Sequence, residues 1–397
     1  MRSRLRRPLA RLRESLGGEA PALSPAEVDC ERRRRVAERY FVPWLEQVRP
    51  LTGLTVLEYG CGGGCVSSAF GPRAGRYIGL DIDAGEIRAA ERLLAERGID
   101  ATLLAAPPDR ILAETAAFRG EVDVFLCYAV LEHMTVDERL ALLELARESV
   151  RDGGVIVVIE TPNRLTPWDY HTSQLPFLNQ LPDELALRYF DRSQRTDYVE
   201  ALRSAPGDAA LRDRLTRWGR GVSYHEFELV FGDLSRHVVA SSWEPALLPE
   251  RNIHREELSL QRVLDQARPD LPPAFSRYWL DLILVPEPLA EPRRFVRPWA
   301  LRTTGSTSAA YDSEAVHLHA DDAVLAVGLP QLSDRIVVEV DAGERPRQLT
   351  IRQPVTGVER GAVAGGAPVD LRFPEPSDRY EITMDAPGWV SFVGYEA

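Results

Sequence analysis

Three groups of residues in this chain could do chemistry. The first is Glu58-Tyr59-Gly60-Cys61-Gly62-Gly63-Gly64, which follows an apolar run, together with Asp81, 17 residues beyond Gly64. Glycine accepts positive φ and lets a backbone approach a ligand closely. A helix opening after such a turn points unpaired N–H groups at the ligand, and an acid closing the next strand can accept both hydroxyl hydrogens of a ribose. The second group is Glu132-His133, with His225 in Ser223-Tyr224-His225-Glu226-Phe227-Glu228. Histidine is the natural general base near neutral pH. The third is Asp169 and His171, set among Pro167, Trp168 and Pro176. Such a rigid polar-aromatic loop either stabilises itself or touches a substrate.

Two ligand classes answer to the glycine turn: a nicotinamide or flavin dinucleotide, and S-adenosylmethionine. The dinucleotide spacing G-x-G-x-x-G would put its third glycine at Cys65. The spacing present is G-x-G-x-G with an acid before it. The absence of lysine bears on the same choice. All 48 basic residues are Arg, which removes Schiff-base chemistry, a P-loop lysine and the Tyr-x-x-x-Lys pair of short-chain dehydrogenases.

The elements that must hold these groups can be read from the pattern. Ser24-Pro25-Ala26-Glu27 is a capping box with Pro in the first turn, predicting a helix to about Tyr40, where Pro43 disturbs it. Buried strands are expected at TVLEYG, at Arg76–Asp81, at ATLLA, over 121–128 and at VIVVIE. Capped helices open at Asp83 and at Thr135-Val136-Asp137-Glu138. Strands alternating with helices of this length make a doubly wound, mostly parallel α/β sheet. Residues 161–275, with helical stretches near 184–189, 198–202 and 210–218, are expected to cap the sheet's carboxyl edge; 277–286 supplies a late strand. Beyond a Pro-rich linker near 287–298, short alternating runs predict a smaller all-β sandwich. The domains expected are a basic arm over 1–23, the α/β domain over 24–290 and the β domain over 291–397.

The net charge of −12 is uneven: residues 1–40 carry 11 Arg against 6 acids, and the rest is strongly acidic. An acidic body repels a polyanion, so bulk nucleic-acid binding is excluded as the main role. No run of 18 apolar residues is present to span a membrane. Four cysteines (Cys30, Cys61, Cys65 and Cys127) in 397 residues do not make a disulfide framework. Reduced thiols and a cytoplasmic location are expected, with Cys61 and Cys65 as small packing residues.

Taken together, VLEYGCGGG, IGLDID, EVDVFLCYAVLEHM and RESVRDGGVIVVIETPNR resemble the class I S-adenosylmethionine-dependent methyltransferases over about residues 50–165, and more weakly to 286. The resemblance implies that Glu58 sits by the methionine amino group and that Gly60, Gly62 and Gly64 line the methionine and ribose. Asp81 would hold the ribose hydroxyls, Ile82 would pack on adenine, and Tyr128 and Ala129 would border the methionine. The chain departs from the family after the third strand, where Ala105-Ala106-Pro107-Pro108 stands in place of an acid and Asp109 comes late; adenine contacts would then come from backbone.

Glu132-His133 and His225 further resemble the metal-assisted small-RNA 2′-O-methyltransferases and ubiquinone-biosynthesis O-methyltransferases. That resemblance implies a divalent ion on Glu132, His133 and His225. Ala129 stands where those groups have Glu, and a hard cation wants oxygen ligands. The preferred reading is therefore metal-free, with His133 and His225 as base or acceptor anchor. The expected function is O-methylation of a hydroxyl on a small molecule, sugar or glycolipid. The alternative is a non-catalytic binding protein whose β domain recognises a carbohydrate or protein. The β domain is also expected to support a homo-oligomer.

Overall fold

The structure is a computed structural model that describes residues 24–396, apart from 243–246, 248–249, 252–254 and short segments from 292 onward. The expected arm over 1–23 lies outside the described residues. Helix α1 (Pro25–Val36) opens on the expected capping box: Ser24 Oγ accepts from Glu27 N, and Glu27 reaches back to Ser24 N. Pro43 does not end the helical path. A π turn at Ala37–Phe41 is followed directly by α2 (Val42–Val48), with Pro43 in its first turn. Proline is tolerated there because that N–H needs no helical partner.

The chain then alternates: β1 (Thr55–Tyr59), α3 (Ser67–Phe70), β2 (Arg76–Asp81), α4 (Ala84–Glu96), β3 (Thr102–Ala105), α5 (Ile111–Thr115), β4 (Val122–Tyr128), α6 (Val136–Ser149) and β5 (Val150–Pro162). Helices α7 (Asp183–Tyr189), α8 (Thr196–Arg203), α9 (Asp208–Arg217) and α10 (Tyr224–Phe231) follow. Strand β6 (Val238–Ser241), α11 (Arg255–Ala267) and β7 (Trp279–Leu284) complete the unit. The seven strands lie in the order β3-β2-β1-β4-β5-β7-β6. The first five are parallel, and β7 runs antiparallel to both β5 and β6.

Both faces of the sheet are covered, so β4 reads as an unbroken buried run. Leu57, Ile78, Phe125 and Ile156 pack on one side with α6 and α10 residues such as Leu142 and Phe227. Val56, Val124, Leu126 and Val157 pack on the other with Phe41, Trp44 and Phe70. Between β5 and β6 the chain builds a small core of its own, with Leu178, Phe190, Tyr198, Leu202 and Leu215 at its centre.

Past residue 294 the described strands are antiparallel: β8 (Phe295–Val296), β9 (Ala300–Thr304), β10 (Thr307–Ala309), β11 (Val316–Leu318), β12 (Val324–Asp341), β13 (Arg347–Arg352), β14 (Glu359–Ala364), β15 (Val369–Met384) and β16 (Gly388–Glu396). Runs expected as separate strands are joined within the long strands β12 and β15. Their mutual register shifts between Gly328 and Arg335, so the chain bends without breaking the ladder. Ile336, Val338, Leu349, Ile351, Tyr380 and Ile382 form this unit's core.

The expectation of four reduced thiols is corrected: Cys30 of α1 is disulfide-bonded to Cys65, the residue just past the glycine turn, while Cys61 and Cys127 are free and buried. Helix α1 buries no residue fully, and this link ties it to the glycine turn in addition to the buried helical path that continues it. Closing a loop of this size (35 residues apart in sequence) stabilises by about 4 kcal/mol through the unfolded chain. Cys30→Ser should therefore lower the unfolding free energy by about that amount in denaturant titrations, and reductant should lower the parent protein to the same level.

Candidate cofactor and acceptor site

The strand order reverses between β1 and β4, and open α/β sheets bind ligands in the crevice beyond that point. A cavity of about 570 Å³ lies there. Tyr59, Gly60, Asp81, Ile82, Ala129 and Val130 line it from the strand ends, and Pro108, Ile111 and Leu112 form its far wall. The turn is held from below: Gly60 N and Cys61 N both donate to the Leu80 carbonyl, at 2.7 and 3.0 Å. Gly60 adopts φ +76°, and a Cβ there would lie 2.6 Å from Val130 Cγ2. A side chain there would be strained in its backbone and would push Val130 aside.

Asp81 Oδ2 accepts from Gly62 N at 2.8 Å and Oδ1 from Asp83 N at 2.9 Å. The carboxylate thus fixes the turn and still borders the cavity with lone pairs to spare. Ile82 is more than half exposed beside it, as an apolar shelf for a flat ring would be. These features fit a nucleoside-containing cofactor: an acceptor for ribose hydroxyls, an apolar slot, and a turn with room only for backbone.

Glu58 lies behind the turn. Its Oε2 accepts from Tyr77 OH at 2.6 Å and from Ser67 Oγ. It is almost fully buried and does not line the cavity. Burial pushes its carboxyl up to about 7, against the two hydrogen bonds that favour the anion. Gly62 and Gly64 support the turn without forming the cavity wall, and Tyr128 is packed edge-on against Phe41 in the core. A raised carboxyl pKa means the folded chain holds a proton that the unfolded chain releases above about 4.5. That stability is complete at low pH and is lost as pH rises through 7. Melting temperatures of Glu58→Gln relative to the parent should rise between pH 5 and pH 8, because the amide cannot ionise.

Beyond β4 a short turn at Leu131–His133 carries the second group. His133 Nδ1 donates to the Arg217 carbonyl at 2.8 Å, which leaves Nε2 with the free lone pair. Burial lowers the pKa of His133, and that of His171 to about 4, so both rings are neutral at neutral pH. Glu132 is fully buried, and neither carboxylate oxygen has a hydrogen-bond partner. Burial pushes its carboxyl up to about 8. His133 Nε2 lies 3.7 Å and His171 Nε2 4.0 Å from Glu132 Oε1.

The expected trio of Glu132, His133 and His225 is therefore corrected. Among the described residues the structure gathers Glu132, His133 and His171, with ligand atoms within 4.8 Å of one another. His225 is exposed on α10, stacked on Tyr224 and paired with Ser223 Oγ at 3.0 Å. Asp169 is a loop brace: its carboxylate accepts from Thr172 N, Ser173 N and Ser173 Oγ, which sets the loop that presents His171.

Arg139 binds these pieces together and was absent from the expectations. Its buried guanidinium donates to the carbonyls of Leu131, Arg220 and Gly221 and to Glu226 Oε1 at 3.2 Å. A signal was available, since Arg139 occupies the same helical stripe as Leu142, Leu143 and Ala146. Arg139→Met would leave Glu226 buried without its partner and free three carbonyls, so urea titrations should show a loss of about 3–5 kcal/mol.

Residues 57–156 match the family model described as a methyltransferase domain. Over these residues the chain carries a methyltransferase domain. The ubiquinone biosynthesis O-methyltransferase of Paraburkholderia xenovorans is 33% identical over 123 residues, 30% of this chain and 50% of that protein. The protein of the same name from Pseudomonas paraeruginosa is 32% identical over 125 residues, 31% and 50% of the two chains. The chain thus spans about half the length of the curated relatives it matches. The magnesium protoporphyrin IX methyltransferase of Synechocystis PCC 6803 is a structural neighbour at 18% identity, with 59% of this chain and 86% of that one covered and a TM-score of 0.34. Among the described residues no helix is long and apolar enough to cross a membrane.

Proposed function

We propose that the chain O-methylates a small hydroxylated acceptor that meets the methyl donor at His133. One observation carries this reading. His133, with Nδ1 fixed and Nε2 free, lines the crevice beyond β1 and β4 and also a second cavity on the side of α8 and α9. S-adenosylmethionine held in the first cavity would supply an electrophilic methyl group, the acceptor oxygen taking the methyl carbon and the carbon–sulfur electron pair remaining on the departing S-adenosylhomocysteine. Asp81 and Ile82 are the residues suited to ribose and adenine, and Gly60 and Ala129 border the reacting end. The hydroxyl proton passes to His133 Nε2. His171 and Glu132 stand behind that nitrogen.

A second reading rests on the orphaned carboxylate. Glu132 offers two buried oxygens with no hydrogen-bond partner, facing two imidazole nitrogens. That donor set fits a divalent ion held by Glu132, His133 and His171, which would lower the pKa of an acceptor hydroxyl. Ala129 still withholds the further carboxylate that the metal-assisted groups place there.

Native mass spectrometry and S-adenosylhomocysteine release, with catechol and 3,4-dihydroxybenzoate as acceptors, test both readings. The parent should bind S-adenosylmethionine and not NADH. Asp81→Ala should weaken cofactor binding at least tenfold, and His133→Ala should cut turnover by about a hundredfold or more. Turnover unchanged by chelator keeps the base reading, and turnover abolished by chelator and restored by a divalent ion selects the metal. No binding of S-adenosylmethionine overturns both.

A further inference from the structure

The second cavity, about 750 Å³, is lined by Arg33, His133, His171, Arg195, Arg214 and Arg217, with Ala201, Ser204 and Trp218. Among the described residues, four guanidinium groups and no carboxylate face this space, in a chain with a net charge of −12. Such a concentration of one sign creates a local field opposite to that of the whole body.

The four arginines are not equivalent. Arg217 is neutralised by Glu138, with contacts of 2.6 and 2.9 Å, and Arg33 is paired with Asp29 at 2.9 Å. Arg195 is held rigidly. Its Nη1 donates to the carbonyls of His171 and Thr172, and its guanidinium lies 5.2 Å from the Trp218 ring centre. Its carboxylate partner, Asp197, is 3.1 Å from Nε and largely exposed. Arg214 donates from Nη1 to the Ala201 carbonyl at 2.6 Å and to Ser204 Oγ at 2.7 Å. Among the described residues no carboxylate pairs with Arg214, and its Nε and Nη2 have no protein partner.

Two oriented guanidinium groups, one without a counter-charge, make a site for a planar or tetrahedral oxyanion. The apolar share of the wall is small, Ala201 and Trp218, so the space does not suit a long hydrocarbon chain. Because His133 and Arg217 line both cavities, an anion seated on Arg195 and Arg214 belongs to a molecule that can reach the methyl donor.

We infer that the methyl acceptor is itself an oxyanion, a hydroxyl compound bearing a carboxylate or phosphate group that docks on Arg195 and Arg214 while its hydroxyl faces His133. This deepens the methyltransferase reading and rests on it. The anion selects the acceptor, and its distance from the reacting hydroxyl sets which oxygen is methylated.

Calorimetric titration of the full chain tests the inference. S-adenosylhomocysteine is titrated first, then pyrophosphate, 3,4-dihydroxybenzoate and the neutral 3,4-dihydroxybenzyl alcohol are titrated into the saturated protein. The parent should bind at least one of the two anions more tightly than the alcohol, and more weakly as salt is raised. The combined variant Arg195→Gln and Arg214→Gln should lose that anion affinity tenfold or more and retain its affinity for S-adenosylhomocysteine, which also certifies that it is folded. Pyrophosphate binding alone identifies a phosphate ester, and dihydroxybenzoate binding alone a carboxylate. The inference is overturned if neither anion outbinds the alcohol, or if the variant binds the anions as the parent does. It is equally overturned if the variant keeps the parent's circular dichroism and melting temperature but loses S-adenosylhomocysteine, for the two arginines would then hold the cofactor's own carboxylate. Failure of S-adenosylhomocysteine to bind the parent instead strikes the methyltransferase reading.

Discussion

The buried guanidinium of Arg139 is the interaction on which the site depends. A desolvated cation is costly unless every donor is satisfied, and here the partners come from three separate places. Leu131 belongs to the turn after β4, Arg220 and Gly221 to the segment entering α10, and Glu226 to the first turn of α10. Satisfying one side chain therefore fixes the turn that carries His133 against the segment that returns from the insertion. Arg220 extends the brace by donating to the carbonyls of Leu178 and Leu181 and to Asp183. The short parallel bridge of Asn163 to Val222 closes it from β5.

The brace explains how so many polar groups survive in a buried place. Between Arg139 and the loop of Asp169 sits Glu132, fully buried with two unpaired oxygens. An arrangement of this kind is expensive, since buried carboxylates normally find donors. It persists where the surrounding structure over-determines it and the exposed chemistry is useful. Two imidazole nitrogens face the carboxylate at 3.7 and 4.0 Å.

Charge separates the two cavities. The crevice beyond β1 and β4 is mainly apolar with Asp81 at one end, as a nucleoside requires. Its neighbour is cationic with little apolar wall. The insertion between β5 and β6 creates that difference, because Arg195, Arg214 and Arg217 all lie on or beside α8 and α9. On the proposed function, the common sheet would bind the cofactor and the added helices would select the acceptor.

The sequence by itself determined the parallel sheet, the glycine turn, Asp81 and the Glu132-His133 turn. Each is set by short-range physics: buried strands read as apolar runs, a close backbone approach needs glycine, and capping boxes mark helix starts. It could also show Asp169 and His171 together, since one loop holds both. Tertiary structure decided that His171, and not His225, joins Glu132 and His133. Both histidines are distant from Glu132 in sequence, and only the path of the insertion brings one ring within reach. It likewise decided that Cys65 bonds to Cys30 and that Glu58 turns away toward Tyr77. The cationic cavity was illegible for the same reason. Its arginines come from α1, α9 and the loop before α8 in a chain where every Lys or Arg position is arginine, so no local pattern distinguishes them until the helices pack.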